Sequence, residues 1–589
     1  MDGWPRLGEE IEGFVMHCLS DRRLPGSTRR RRGGVWRWAG VFGVVAIGAV
    51  VLCWLLSPEG VVPDFSIPIG QVREPLAFRQ VSFHRGRVDK NLVKLASQLG
   101  FNGVQVQLEG SNIQGIRDFA ARDRKEHIVD YCHAHGMKVT VWVRELSDLP
   151  TEDDPDYLGP VDVDNQELWD VIDQRYEWIL GQALPWVDGL VLTVVETQFN
   201  ATEAAVMQKL VTLINGKCRK YGKSLTVRTF VWKPEELEGV MEAIQGLPDD
   251  ILVMSKIVPQ DWQMRAGNAA EIGAVGGHRQ IVEFDAAGEY FLSDNVANCM
   301  VERLKSQFDY AVAKGAEGVC VRVDRFDASV LWTPNEVNVW ALGLLASGAS
   351  GTTEDIWQRW ASYRYGEKAA PAVIAALKPT SEVVAEMVSV GPFTYGDIRG
   401  AQLDFRPRYE VALPTSDVLG EWEESNQNWQ MWRWDPALVA TLGRINAGDG
   451  AFINGIQKSQ AHAAALADQS LAELEKGRAF LAEKDYQILQ TKLLTNKLQL
   501  AYRSHATLAA LHWRQALAAE TIASFSNAMR MYHEDIEEVQ ALSDSLRSHA
   551  AGFRIHYLGK NWQVGYPLLI SPDQLDGWVQ QARDAVRPY

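Results

Sequence analysis

Residues 124–143 read RKEHIVDYCHAHGMKVTVWV, and this stretch decides the fold class. Its first half has apolar residues at helical spacing, and its second half is an apolar, β-branched run typical of a buried strand. Gly136 separates the two halves, at the position where a helix commonly ends in a left-handed residue. The stretch is therefore one helix-to-strand unit of an alternating α/β domain.

Seven further strand-like runs flank this unit. The eight candidate strands are residues 76–83, 103–108, 137–143, 188–195, 224–230, 250–256, 279–284 and 317–323. Amphipathic helical patterns alternate with them, and Gly100 and Gly222 lie just past two predicted helix ends. Eight strands, each followed by a crossover, predict an α/β fold of the (β/α)8 TIM barrel type. A doubly wound open sheet is the second interpretation, but no glycine-rich phosphate loop in the sequence supports it.

A long apolar run near the N-terminus predicts a membrane anchor. Residues 38–56, WAGVFGVVAIGAVVLCWLL, carry no charge and are long enough to span a bilayer, and arginines occupy positions 29–32 just before them. The positive-inside rule then predicts a single-pass protein whose N-terminus is cytoplasmic and whose bulk is extracytoplasmic, or periplasmic in a Gram-negative cell. A cleaved signal peptide is the second interpretation.

The 589 residues are too many for one core, and the patterns divide them into six segments. We predict a cytoplasmic segment at 1–35, a transmembrane helix at 36–57, a linker at 58–75, the barrel domain at 76–385, an aromatic-rich connecting region at 386–435 and a helical bundle domain at 436–589. The bundle is predicted from long runs with apolar residues at i, i+3, i+4 and i+7. Four tryptophans between positions 422 and 434 either plug a domain interface or form a sugar platform.

Composition excludes several classes of partner. The formal net charge is −16, so no domain-wide basic field exists to bind nucleic acid. The six cysteines are spaced singly without a metal-binding motif, and we predict neither a metal nor a cofactor. Cys132 on a helix and Cys320 in a strand are both predicted to be buried thiols.

The candidate site residues follow from the barrel, because chemistry in this fold gathers at the carboxyl ends of the strands. Near these ends the chain has Arg144, Glu145, Glu196, Trp232, Lys256, Asp261, Gln263, Arg265, Glu283, Asp285, Glu289 and Tyr290. Carboxylates and amides hydrogen-bond hydroxyl groups, and aromatic rings stack on the faces of sugar rings. This set therefore favours a carbohydrate substrate, and hydrolysis of a glycosidic bond requires a pair of carboxylates.

Three segments, in this order, resemble the core of the family 67 glycoside hydrolases, the α-glucuronidases. They are DGLVLTVVETQFN, ILVMSKIVPQDWQMR and IVEFDAAGEYF, and the resemblance covers residues 78–370. It implies that Glu196 is the general acid and Asp261 the general base of an inverting reaction. It also implies that Lys256 and Arg265 bind a uronate carboxylate or hold Asp261 ionised.

The sequence thus predicts a membrane-anchored glycoside hydrolase acting on a glycan, with uronic acid as the candidate sugar. Two alternatives remain open. Ala266 occupies a position where the resembling enzymes have a glutamate, which is compatible with a non-catalytic carbohydrate-binding barrel. A glycosidase of other specificity, in which Glu283 or Asp285 supplies the second carboxylate, is the other alternative.

Overall fold

The structure is a computed structural model of the chain. The residues it describes are 73–84, 87–108, 113–146, 149–195, 201–231, 233–259, 264–288, 296–325, 328–394, 437–557 and 572–586. The predicted transmembrane helix and most of the aromatic-rich region lie outside the described residues. Within the described ranges, no helix is long and apolar enough to cross a membrane.

Eight parallel strands form a closed barrel in which each strand pairs with its neighbours in chain order and β8 pairs with β1. The strands are β1 (Phe78–Phe83), β2 (Gly103–Val106), β3 (Lys138–Arg144), β4 (Gly189–Thr193), β5 (Ser224–Arg228), β6 (Leu252–Lys256), β7 (Gln280–Asp285) and β8 (Gly318–Arg322). All eight predicted strands are present, and the predicted barrel is confirmed. Two short hairpins follow: β9 (Asp324–Arg325) with β10 (Ala328–Ser329), and β11 (Ser389–Val390) with β12 (Phe393–Thr394).

Helices cover the outside of the barrel. They are α1 (Lys90–Gln98), α2 (Ile113–Glu126), α3 (Ile128–Ala134), α4 (Gln166–Trp178, extended by a π-helical turn, Ile179–Ala183), α5 (Ala204–Lys220), α6 (Pro234–Gln245), α7 (Val301–Ala313) and α8 (Glu336–Ala346). Gly100, Gly136 and Gly222 have φ angles of 86°, 72° and 66°, so each predicted left-handed residue is confirmed. Cys132 and Cys320 are buried, as predicted, and burial raises the pKa of Cys132 to about 12.

The predicted alternation of strands and helices fails at one place. Residues 264–279, between β6 and β7, contain no helix. This segment has four glycines, of which Gly273 and Gly276 have positive φ angles, and glycine is a poor helix former. Ile272 and Val275, at 2% and 3% exposure, cover the barrel wall here in place of a helix.

The C-terminal region is helical, as predicted. It contains α9 (Thr353–Tyr365), α10 (Ala370–Leu377), α11 (Thr380–Met387), α12 (Ala437–Asn446), α13 (Gly450–Gly477), α14 (Glu483–Leu517), α15 (Ile522–Tyr557) and α16 (Pro572–Ala585). The long helices α13, α14 and α15 pack in chain order, and the short connections between them are typical of an up-and-down arrangement. Helix α11 contacts both α13 and α14, and it thereby joins the barrel to the bundle.

A buried carboxyl lies between β6 and β7, within residues 264–279, where the structure describes no helix. The Glu271 side chain is 5% exposed, and its Oε2 atom has no hydrogen-bond partner within the described part of the chain. Burial raises the pKa of Glu271 from 4.5 to about 7. Because the pKa is raised on folding, Glu271 destabilises the fold once it must ionise.

The Glu271→Gln variant is expected to be more stable than the parent at pH 8 and indistinguishable from it at pH 4. The difference should develop as the pH rises from 4.5 through about 7 and should approach about 3 kcal/mol, since a pKa difference of one corresponds to about 1.4 kcal/mol. Urea unfolding at several pH values measures it. The exposed Glu367→Gln variant is the matched control, and an equal effect in both variants would contradict the assignment.

Candidate active site

The barrel interior is filled by side chains from alternate strand positions. Trp142, Val191, Met254, Ile281 and Cys320 form a separate buried cluster inside the barrel. Because successive strand residues point to opposite faces, the residues two positions further along each strand also point inward, nearer its carboxyl end. We call these carboxyl-end residues the mouth of the barrel.

The mouth is polar and rich in cations. Its inward side chains are Ser82, Gln107, Arg144, Thr193, Arg228, Lys256, Glu283 and Arg322, with Asp285 one layer further out. Contacts across the interior support this placement: an Arg322 guanidinium N–H donates to Gln107 Oε1 at 3.0 Å, and the Gln107 amide donates to Ser82 Oγ at 2.8 Å. Four cationic side chains therefore lie in the layer above the apolar cluster.

A buried ion pair spans the mouth. Arg228 Nε donates to Glu283 Oε2 at 2.8 Å, and the two side chains are 3% and 0% exposed. The guanidinium also lies 4.9 Å from the Trp142 ring centroid and 4.7 Å from that of Phe230. Lys256 Nζ lies 3.7 Å from the same Phe230 centroid. Two aromatic rings thus hold two cations beside one carboxylate by cation–π contacts.

Glu283 keeps part of its hydrogen-bonding capacity. Its Oε1 atom is buried and has no partner among the residues that the structure describes. A carboxylate oxygen accepts hydrogen bonds only, so a hydroxyl or amide donor suits this position. Burial raises the pKa of the Cys320 thiol, and the nearby Glu283 carboxylate raises it further. The thiol is therefore kept protonated.

Asp285 is fixed at the last residue of β7. It is 3% exposed, and its Oδ1 atom accepts the main-chain N–H groups of Ala287 at 3.0 Å and Gly288 at 3.1 Å. In the ladder it lies opposite Arg322 of β8. Its carboxylate is therefore held at the carboxyl end of the sheet, beside a cation.

The structure brings together Arg144, Lys256, Glu283 and Asp285 of the predicted site. Two other predicted residues have partners elsewhere. Glu145 faces out of the barrel and accepts from Arg175 of α4 at 2.6 Å in a buried ion pair, because it is one residue out of phase with Arg144. Arg265 forms an ion pair with Glu386 of α11. Glu196, Trp232, Asp261, Gln263, Glu289 and Tyr290 lie outside the described residues, so their roles stay predictions.

Sequence reasoning missed Arg228, Arg322 and Gln107. Site residues are expected in the loops that follow the strands. Arg228 and Arg322 are instead the last residues of β5 and β8, and Gln107 directly follows β2. The signal was nevertheless present, because TVR and VCVR place an arginine at the end of an otherwise apolar, β-branched run. A charge in that position is buried, and buried charges need partners.

The barrel is similar to solved structures of glycoside hydrolases. A family 138 glycoside hydrolase targeting the pectin rhamnogalacturonan II aligns with a TM-score of 0.58 and 10% identity over 83% of this chain and 66% of that structure, just under two thirds of its length. A mutant O-GlcNAc hydrolase of Thermobaculum terrenum aligns with a TM-score of 0.40 and 11% identity, over 86% of this chain and 94% of that one. A family 20 β-N-acetylhexosaminidase of Streptomyces coelicolor aligns with a TM-score of 0.33 and 14% identity, over 50% of this chain and 68% of that one.

The fold is one that glycoside hydrolases use. No protein-family model matches the sequence, and no curated protein matches it. Fold alone does not fix a reaction, because an activity depends on the chemistry of the site that the fold carries.

The Arg228→Met variant is expected to lose about 3–5 kcal/mol of stability, because it leaves the Glu283 carboxylate buried without its cation. The double variant Arg228→Met, Glu283→Gln should recover most of that loss, since it removes both charges of the pair and leaves neither one without its partner. Urea unfolding measures both.

Arg279 and Glu317 form an exposed ion pair and supply the control. Arg279→Met should cost less than about 1 kcal/mol, as exposed pairs generally do. A small loss in Arg228→Met, or a double variant no more stable than the single one, would show that the mouth does not depend on this pair.

Proposed function

We propose that the chain is a glycoside hydrolase acting on a uronic-acid-containing glycan by an inverting acid/base mechanism. One observation carries the proposal. Arg228, Lys256 and Arg322 point into the same barrel mouth as Glu283 and Asp285, in a fold shared with glycoside hydrolases. This combination suits a ligand that carries both hydroxyl groups and an acidic group.

The cations supply recognition of the acid. Arginine and lysine make charge-assisted hydrogen bonds to carboxylates, and these are about twice as strong as neutral ones. Cation–π contacts with Phe230 and Trp142 hold Arg228 and Lys256 in fixed positions before a ligand arrives. In this proposal, the carboxylate oxygens of Glu283 and Asp285 accept hydrogen bonds from sugar hydroxyls.

In the proposed reaction, Glu196 protonates the leaving oxygen while Asp261 activates a water molecule on the opposite face of the sugar ring. Such a pair requires a separation of about 6.5–9.5 Å between the two carboxyl groups, which leaves room for the water. Lys256, at the end of β6, and Asp261 are five residues apart in sequence. A cation near Asp261 would favour its ionised form, as a general base requires.

A non-catalytic carbohydrate-binding barrel is the second candidate. The observation that favours it is Ala266, a residue with no proton-transfer chemistry at the position where the resembling enzymes carry a glutamate. In this case the mouth would bind the acidic sugar without cleaving it.

The Glu196→Gln and Asp261→Asn variants are each expected to lower turnover of a uronic-acid oligosaccharide by about 10²-fold or more, the scale of acid/base catalysis. Reducing-end release by residues 73–589 measures the rate. If activity survives in Asp261→Asn but is lost in Glu283→Gln, the second catalytic carboxylate is Glu283 and not Asp261. Binding without turnover in the parent protein would support the non-catalytic alternative.

We also propose that residues 38–56 anchor the protein in a membrane, with the barrel on the extracytoplasmic side. The support is the uncharged length of this run and the arginines at 29–32 before it. An anchored hydrolase would act on glycan at the cell surface.

The full chain is expected to stay in the membrane pellet after an alkaline carbonate wash, and residues 73–589 alone should remain in the supernatant. Added protease should reach the barrel from the extracytoplasmic side only. Release of the full chain by carbonate, or cleavage within residues 57–72 during export, would contradict an uncleaved anchor.

A further inference from the structure

The connection that follows β7 is described at both of its ends, and buried asparagines hold both. Residues 286–288 form the first end and residues 296–300 the second, and both are buried. Neither belongs to a helix or a strand, so their main-chain groups need other partners. Some partners are local or come from β8 and α11: Asp285 accepts from Ala287 and Gly288, Ala286 N–H donates to Arg322 O, and Cys299 N–H donates to Thr380 Oγ1. The others are asparagine side chains of α8 and α14, which are far away in the sequence.

Asn338 of α8 links the two ends directly. Its amide N–H groups donate to Asn298 O at 2.9 Å and to Ala286 O at 3.4 Å, and its Oδ1 accepts the main-chain N–H of Met300 at 2.7 Å. Asn338 is 0% exposed, and Ala286 is the residue directly after Asp285. One side chain therefore fixes the exit of β7 relative to the start of α7.

Asn335, at the start of α8, adds two contacts to the second end. Its Oδ1 accepts the main-chain N–H of Asn298 at 2.7 Å, and its amide donates to Val296 O at 3.1 Å. The main-chain path from Val296 to Met300 is thus set by side chains of another element.

The bundle contributes the third asparagine. Asn496 of α14 is 1% exposed, and its side-chain amide both accepts from and donates to the main chain of Ala297. Its Oδ1 accepts Ala297 N–H at 3.0 Å, and its Nδ2 donates to Ala297 O at 2.7 Å. A continuous path of hydrogen bonds and main chain therefore runs from α14 through Ala297, Asn298 and Asn338 to Ala286 and Asp285.

We propose that Asn338 and Asn496 are positioning residues, which hold Asp285 at the barrel mouth and connect the helical C-terminal region to it. The role of Asp285 in binding sugar rests on the proposed function. The positioning itself does not, because it is a property of the protein without ligand.

The first test measures local opening in the full chain without ligand. In Asn338→Ala and Asn496→Ala, amide hydrogen exchange in residues 281–288 and 296–300 should accelerate by about tenfold or more, because local opening becomes easier. The control is Asn215→Ala in α5, where a buried asparagine donates to Asp250 at 3.2 Å on the outer wall of the barrel. The control should leave both ends unchanged.

Acceleration confined to α14 in Asn496→Ala, or equal acceleration in the control, would overturn the proposal. If Asn496→Ala does not fold, Asn496→Leu fills a similar volume without a charge and also removes both hydrogen bonds to Ala297. It should show the same acceleration in residues 296–300, and none there would equally overturn the proposal.

The second test measures turnover of a uronic-acid oligosaccharide. If Asn338→Ala and Asn496→Ala displace Asp285, each variant should raise KM by about fivefold or more and leave kcat within about twofold. The reason is that a group that binds the substrate is displaced while the reacting groups are kept. Simple loss of folded protein lowers the apparent kcat at constant KM, and that outcome would overturn the proposal. If the parent protein has no turnover, the proposed function fails, and the exchange experiment still decides the positioning role.

Discussion

The parallel pairing of β8 with β1 closes the sheet, and the site depends on that closure. Main-chain hydrogen bonds run between Phe78–Ser82 and Gly318–Arg322, and Asp324 accepts the main-chain N–H of His84 at 2.7 Å just above this seam. The wall of a closed barrel shields the inward side chains from solvent, and Arg228 and Glu283 near its carboxyl end are only 3% and 0% exposed. The charges at its carboxyl end must therefore find partners inside the mouth, and Arg228 finds Glu283.

This constraint explains why a charged site can exist in a buried place. A buried ion pair stabilises a fold little more than an apolar pair of the same size would. When one partner is lost, the remaining buried charge destabilises the fold strongly. Arg228 and Glu283 consequently fix each other, and the aromatic rings of Trp142 and Phe230 restrict the guanidinium further. The mouth is thus organised in the protein without ligand, and such preorganisation is what binding and catalysis generally require.

Much of this fold could be predicted from the sequence, because it is written in local patterns. Strand runs, helix periodicity and the glycines after helices act within a few residues, and the eight strands were found from them. Residues 264–279 before β7 depart from the expected alternation because their four glycines disfavour a helix. Glu145 differs from the neighbouring Arg144 because the alternation of side chains along the strand turns it outward, toward Arg175.

The contacts that organise the site were beyond sequence reasoning for a physical reason. Asn496 and Ala297 are 199 residues apart, and nothing in an apolar repeat shows which amide will meet which main-chain group. Arg228 and Glu283 are 55 residues apart and meet only because alternate strands of a closed barrel share one interior. Long-range polar pairing follows from the fold, so it can be read only after the fold is known.

The central claim is that the barrel mouth binds an acidic sugar. Calorimetric titration with a uronic-acid oligosaccharide, and with the same oligosaccharide after its carboxyl groups are reduced to alcohols, tests this claim most directly. At low salt the acid should bind about tenfold or more tightly than its neutral counterpart, the scale of one or two charge-assisted hydrogen bonds, and Lys256→Met should narrow the difference. Equal affinity for the two oligosaccharides would contradict the claim.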